Sequence, residues 1–148
     1  MRLWDWAVEA YARPGVAEAA LSLQDEHGQS VAYLLWAVWA GGATPQDLTK
    51  GARAARSWET AALQPLRRTR RALKSDLPPI DAAARLTLRE QVKVVELQAE
   101  RVLLEALEAL VSGPGGRAPP LAALTAAAEA WGDPPPAAGL ARLAAALS

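Results

Sequence analysis

The chain's single histidine, His27, follows Asp25 and Glu26, the residue types from which a general base with a neighbouring carboxylate is built. An enzyme using His27 with Asp25 is one reading of this run. The other is a histidine at a helix C-terminus, favoured there by the helix dipole just before Gly28. The second is preferred, because no serine, threonine or cysteine stands in a nucleophile motif. Glu96 and Glu100, four residues apart, share a helix face as carboxylates do in helical di-metal sites. Those sites also take Glu-x-x-His from two helices, and one histidine cannot serve both. Like charges at this spacing cost a helix about 0.2–0.5 kcal/mol unless countered, so a cation is expected beside them, with Arg53 and Arg56 as candidates. The glycine-rich "SGPGG" at 112–116 follows a helix and lacks the lysine and hydroxyl residue of a phosphate loop. No catalytic residue, metal ligand or cofactor is therefore assigned.

The strongest charge feature is "PLRRTRRALK" at 65–74. On a helix Arg67, Arg70, Arg71 and Lys74 fall at i, i+3, i+4 and i+7, with Leu63, Leu66 and Leu73 on the adjoining face. Folding this stretch back on the following helix as an antiparallel hairpin sets Arg67 opposite Glu90 but Arg70 and Arg71 opposite Arg85 and Arg89. Residues 67–93 carry eight cations and three anions, net +5, in a chain whose formal net charge is zero. Residues 1–30 and 94–112 each sum to −3. The basic tip is expected to meet an acidic surface of the same molecule, such as Asp25 and Glu26, or a partner. Arg67, Arg70, Arg71, Lys74, Arg85 and Arg89 are the candidate partner-binding residues, with Arg70 and Arg71 left unpaired. An acidic protein surface is the preferred partner; nucleic acid or another polyanion is the alternative, without the interleaved aromatics and groove-reading motifs that would favour it. A solvated basic face is the plain reading of the same run.

The elements that hold these residues read as helices throughout. Alanine and leucine dominate a chain that is 51% hydrophobic, Phe and Cys are absent, and six tryptophans supply the bulk. Without cysteine there is neither disulfide nor thiolate metal chemistry. At 148 residues the chain is long enough to bury a substantial core. Trp4, Ala7, Val8 and Tyr11 form the apolar stripe of a first helix, ended at Arg13-Pro14-Gly15. A second helix spans 15–27 with Val16, Ala20 and Leu23 on one side, and Gly28 as its C-cap. Residues 30–40 are apolar almost all round and predict a central, buried helix. Thr44-Pro45 with Asp47 marks the next N-terminus, and its helix runs toward Lys74 with a kink or break expected near 57–64, ahead of Pro65.

After the turn "SDLPPID", a long helix over about 81–111 carries Leu88, Val92, Val95, Ala99, Val102 and Leu103 on one face. Leu86, Leu97, Leu104 and Val111 fall on nearly the opposite one. Two greasy faces call for two partners, either the tail or a second copy, making a homodimer through Leu86, Leu97, Leu104 and Val111 one expectation. "SGPGGRAPP" at 112–120 reads as a flexible linker. Two alanine-rich helices follow near 120–131 and 136–147, separated by "GDPPP" and striped by Leu121, Leu124, Ala128 and Trp131 and by Leu140, Leu143 and Leu147. Most tryptophans are expected in the core, with Trp6 partly exposed.

The sequence of motifs "LWDWAVEAYARPGV", "LQDEHG", a buried "LLW" helix, Trp58, "PLRRTRRALK" and "ELQAER" resembles a small all-helical proteobacterial family catalogued as a domain of unknown function, over roughly residues 3–107. This chain departs from it at 29–32, where "QSVA" replaces an acidic residue and Val-Asn. The resemblance implies the helical fold and brings no activity with it. The expectation is an all-α domain of about five helices over 1–111, a linker at 112–120 and a short helical tail over 121–148. Asp5 and Glu9 interrupt any signal-peptide core, and the longest apolar run, ten residues at 31–40, falls short of the roughly 20 that a membrane span requires. A cytoplasmic interaction or regulatory protein, non-catalytic and docking through its basic tip, is the function these features favour.

Overall fold

A computed structural model describes residues 1–132 and 136–148. These fold as an all-α protein: α1 (Leu3–Tyr11), α2 (Val16–His27), α3 (Val31–Ala40), α4 (Pro45–Trp58), a π turn (Glu59–Leu63), α5 (Gln64–Ala72), α6 (Ala82–Glu108), α7 (Pro120–Trp131) and α8 (Ala137–Leu147). Taking α4, the π turn and α5 as one continuous element gives the five expected helices ahead of the two in the tail. Among the described residues no helix is long and apolar enough to cross a membrane. The predicted "GDPPP" turn lies partly outside the described residues.

The ends of these helices follow local chemistry. Thr44 and Asp47 form a reciprocal capping box, the Thr44 hydroxyl accepting from the Asp47 N–H and the Asp47 carboxylate from the Thr44 N–H, each at 3.1 Å. Asp81 caps α6 through the Ala84 N–H at 2.8 Å. Gly28, at φ +62°, ends α2 in the left-handed conformation that an L side chain adopts only with strain.

Helix α3 is the axis of the core, as its all-round apolarity predicts. Tyr33, Leu34 and Trp36 have no solvent exposure, and α1, α2, α4, α6 and α7 surround it. Gly51 lets α4 approach this axis, since a Cβ there would lie 2.5 Å from the Trp36 ring. The Tyr33 hydroxyl lies 3.1 Å from the Leu48 carbonyl and 3.0 Å from that of Ala127, so its proton joins α3 to α4 or α7. Burial away from water holds its pKa well above the usual phenol range.

The tail packs elsewhere than on the long helix. Helix α7 lies chiefly on α3 and α4, and α8 on α2 and α7. Leu124, Trp131, Leu140 and Leu143 thereby join the same core as Leu3 and Leu103. The expectation that a tail stripe covers the second face of α6 is corrected: the tail packs on the far side of the α3 axis. Residues 112–119 run back along the C-terminal end of α3, where Gly116 N–H donates to the Ala40 carbonyl at 3.0 Å and Ala118 N–H to that of Gly41 at 2.9 Å. A side chain at Gly116 would overlap the Gly41 carbonyl.

Candidate functional site

The stripe Trp4, Ala7, Val8 and Tyr11 is only partly core. Helix α1 buries Leu3, Ala7 and Ala10, which rotates Trp4, Val8 and Tyr11 away from the packed centre. Val8 is 52% exposed and Tyr11 40%. They face a cleft of about 440 Å³, walled across from them by Val31, Ala32 and Leu35 of α3 and by Leu97 and Leu104 of α6. Its polar end is made by Glu59, Arg67 and Glu100, with Gln24 at the edge.

The π turn builds that end. Pro65 has no N–H and its ring crowds the carbonyl one α turn back; the chain responds by widening one turn, and the Gln64 N–H donates to the Glu59 carbonyl five residues back. The expected kink or break near 57–64 is thus a π turn inside an unbroken helix. One α turn of about 3.6 residues and one turn widened by about one residue together span about eight residues. Glu59, Leu63 and Arg67 consequently stack on one face, and all three are buried.

Arg67 donates from Nη1 and Nη2 to the two Glu59 oxygens at 2.8 and 3.2 Å, and its Nε stands 3.9 Å from Glu96. Arg70 donates from Nε to the other Glu96 oxygen at 2.7 Å. Glu100, the third carboxylate of the seam, makes neither a hydrogen bond nor an ion pair among the described residues. Burial raises its pKa above the ordinary carboxylate value, opposed by the Arg67 charge and reinforced by Glu96 and Glu59. Desolvation would lower the Arg67 pKa, but the hydrogen bond and charge of Glu59, with Glu100 and Glu96 nearby, raise it instead. Burial, and then the charges of Glu100 and Asp25, raise that of Tyr11.

Several expected pairings change. Arg67 takes Glu59 in place of Glu90, because the π turn brings Glu59 onto its face while Glu90 pairs with Lys93 at 3.0 Å. The cations beside Glu96 are Arg70 and Arg67, whereas Arg56 reaches the Trp131 carbonyl and ring. Arg70 and Arg71 both have partners: Arg71 meets Asp25 of α2 at 3.1 Å, an acidic surface of the same molecule as anticipated. The hairpin register itself holds, with Arg89 donating to the Arg70 carbonyl at 3.2 Å. Buried Arg85 donates to the Leu73 carbonyl at 2.5 Å and to Asp76 at 2.9 Å. Lys74 is exposed, as is Arg68, and neither forms an ion pair among the described residues. His27 lies exposed at the end of α2, 4.0 Å from Glu26.

On α6, Leu86 and Leu97 are exposed and Leu104 is buried, while Val111, past the end of the helix, is half-buried. Leu97 and Leu104 belong to the cleft. Among the described residues no group of three or more histidine, cysteine or acidic side chains is placed to hold a metal ion.

The fold and site thus define a helical protein with an apolar cleft ending on an ion-paired seam. Residues 2–107 match the family described as "Protein of unknown function (DUF2390)", and the chain belongs to that family. The matched span holds every residue of the cleft and stops short of α7 and α8. No curated protein and no solved structure matches the chain.

Proposed function

We propose that the protein is a non-catalytic binding protein whose cleft between α1, α3 and α6 takes a small, largely apolar ligand. One observation carries this reading: apolar side chains that the core leaves exposed, Val8, Tyr11 and Leu97, gather with half-buried Trp4 around one cavity of about 440 Å³. Ligand pockets are of this size, apolar with a few convergent polar groups. The lining has no serine, threonine, cysteine, histidine or lysine, and Glu59 is already bound to Arg67, which supports binding over nucleophilic chemistry. The neutral fluorophore N-phenyl-1-naphthylamine is expected to bind saturably. Val8→Trp, which fills the cleft mouth from a position outside the core, is expected to abolish that signal while preserving the thermal transition. Probe binding unaffected by Val8→Trp, or no saturable binding at all, would rule the cleft out.

A second reading keeps an acidic protein partner at the basic tip. It is supported by Arg68 and Lys74, exposed without ion pairs among the described residues, beside the solvent-accessible Arg71–Asp25 pair. The surface open to such a partner is narrower than the six-residue stripe, since Arg67 and Arg85 are buried. Charge reversal at Arg68 and Lys74 together is expected to remove a specific acidic partner from a pull-down and leave the fold intact; an unchanged set of partners would count against this surface.

A further inference from the structure

Resting on the reading of the cleft as a ligand site, we infer that the ligand is a small amphipathic monocation, a protonated amine on an apolar body, seated with its charge against Glu100. Charge complementarity at the polar end of the cleft selects a cation. Glu59, Glu100 and Arg67 line the wall there, and Arg67 continues behind it to Glu96 and Arg70, so that three carboxylates meet two guanidinium groups. Both terminal nitrogens of Arg67 are committed to Glu59, and Arg70 donates from Nε and Nη2 to Glu96. One negative charge is left over, and it belongs to the one carboxylate of the three that has no partner among the described residues. An anionic ligand would have to approach that carboxylate while finding no free guanidinium nitrogen on Arg67 facing Glu59. A cation finds an unshared acceptor, with Tyr11 supplying an aromatic wall in the same cavity.

No other lining side chain supplies the missing charge, and Arg101 of α6, which lies over the Trp4 ring at 5.2 Å, is paired with Glu105 at 3.0 Å. Helix α3 presents only Val31, Ala32 and Leu35, α1 presents the Tyr11 phenol, and α2 presents neutral Gln24, its Asp25 being engaged by Arg71. The excess favours a proton on Glu100, the direction in which burial first of all moves its pKa. An arriving ammonium group replaces that proton: the carboxylic acid releases H⁺ to solvent, and the carboxylate accepts an N–H from the ligand. No bond other than O–H is broken.

Isothermal titration of the full chain with n-hexylammonium, n-hexanol and hexanoate tests the inference, at pH 5.5 and 8 and in buffers of different ionisation enthalpy. Hexylammonium is expected to bind at least about tenfold more tightly than hexanol, the factor a hydrogen bond to a charged group commands, and hexanoate more weakly than either. Its affinity should rise with pH and its binding release protons at the lower pH. Glu100→Gln should bring hexylammonium down to the level of hexanol and remove the proton release. Equal binding of hexanol and hexylammonium to the parent protein would overturn the monocation and leave the cleft standing as an apolar site. Tighter hexanoate, or an undiminished ammonium preference in a folded Glu100→Gln, would overturn it as well. Binding of none of the three would remove the cleft reading together with the inference. The comparison of the three ligands on the parent protein decides the matter even if the variant does not fold.

Discussion

Glu59 and Arg67 are 7% and 8% exposed, so each depends on the other for the solvation that water no longer provides. Removing one partner leaves a buried, uncompensated charge. Arg67→Met is expected to cost about 3–5 kcal/mol in urea unfolding, while Glu59→Leu combined with Arg67→Met recovers most of that, because an apolar pair has no charge to desolvate. A double variant no more stable than Arg67→Met would show that the pair matters for something besides its burial. Glu100 behaves in the opposite sense. Its folded pKa is raised, so the folded chain holds its proton more tightly than the unfolded chain, whose carboxyl titrates near the ordinary 4.5. The stability it contributes is present below that value and lost as pH rises through the folded pKa. Glu100→Gln is therefore expected to be more stable than the parent at pH 7.5, with the difference closing toward pH 4.5, as urea midpoints at the two pH values would read. Part of this was legible in the residues: the i, i+4 spacing of Glu96 and Glu100 demanded a cation, and cations are there. Which cations was not legible, since Arg70 and Arg67 come from a helix whose rotation depends on the π turn. Glu59 was visible as an acid within the apolar series Ala55, Leu63 and Leu66, a signal that becomes meaningful only once the partner eight residues on is aligned.

At the scale of the element, the widened turn determines which face α5 presents. Pro65 marks a disturbance in sequence, yet a kink, a break and a π turn all answer the same missing N–H, and the choice is made by packing. Here the extra residue keeps Glu59, Leu63 and Arg67 on a single buried face. Ala61 is exposed within the turn, and its deletion would return the turn to α geometry with the two flanking faces still in register, seven residues being close to two α turns. Pro65 would then sit in an ordinary helix interior. Deletion of Ala61 alone is thus expected to cost about 3 kcal/mol or more, and deletion of Ala61 with Pro65→Ala to restore most of the loss. Chemical denaturation of the two variants checks this; equal loss in both would mean that the π turn is held by side-chain packing and owes little to proline. Helix α1 carries a related lesson. Its apolar stripe was readable from spacing, but a stripe that lines an open cleft and one that fills a core have the same periodicity, and only the burial of Leu3 and Ala10 tells them apart.

For the whole molecule, the question is what the tail contributes. The apolar stripes of α7 and α8 were plain in the sequence, and so was the need of some face for cover. Their destination was not, because nothing in a leucine stripe says whether it meets α6 or the far side of α3. Leu124, Trp131, Leu140, Leu143 and Leu147 are each at most 5% exposed. Burial of one such side chain is worth about 1.5–3 kcal/mol, so five together are comparable with the whole stability of a typical domain, about 5–15 kcal/mol. Arg13 also reaches across to the Leu147 carbonyl at 2.8 Å, fastening the turn between α1 and α2 to the last helix. The family match ends at residue 107, yet the described fold is incomplete there. A chain ending at Ser112 would uncover Tyr33 and Leu23 on the side that α7 and α8 close. It is expected to lose its cooperative thermal transition and to scatter light as an aggregate, and a separately supplied segment of residues 117–148 is expected to restore part of the transition. A soluble monomer of residues 1–112 with an undiminished melt would show that the first six helices close the core on their own, and that α7 and α8 rest on a surface already stable without them.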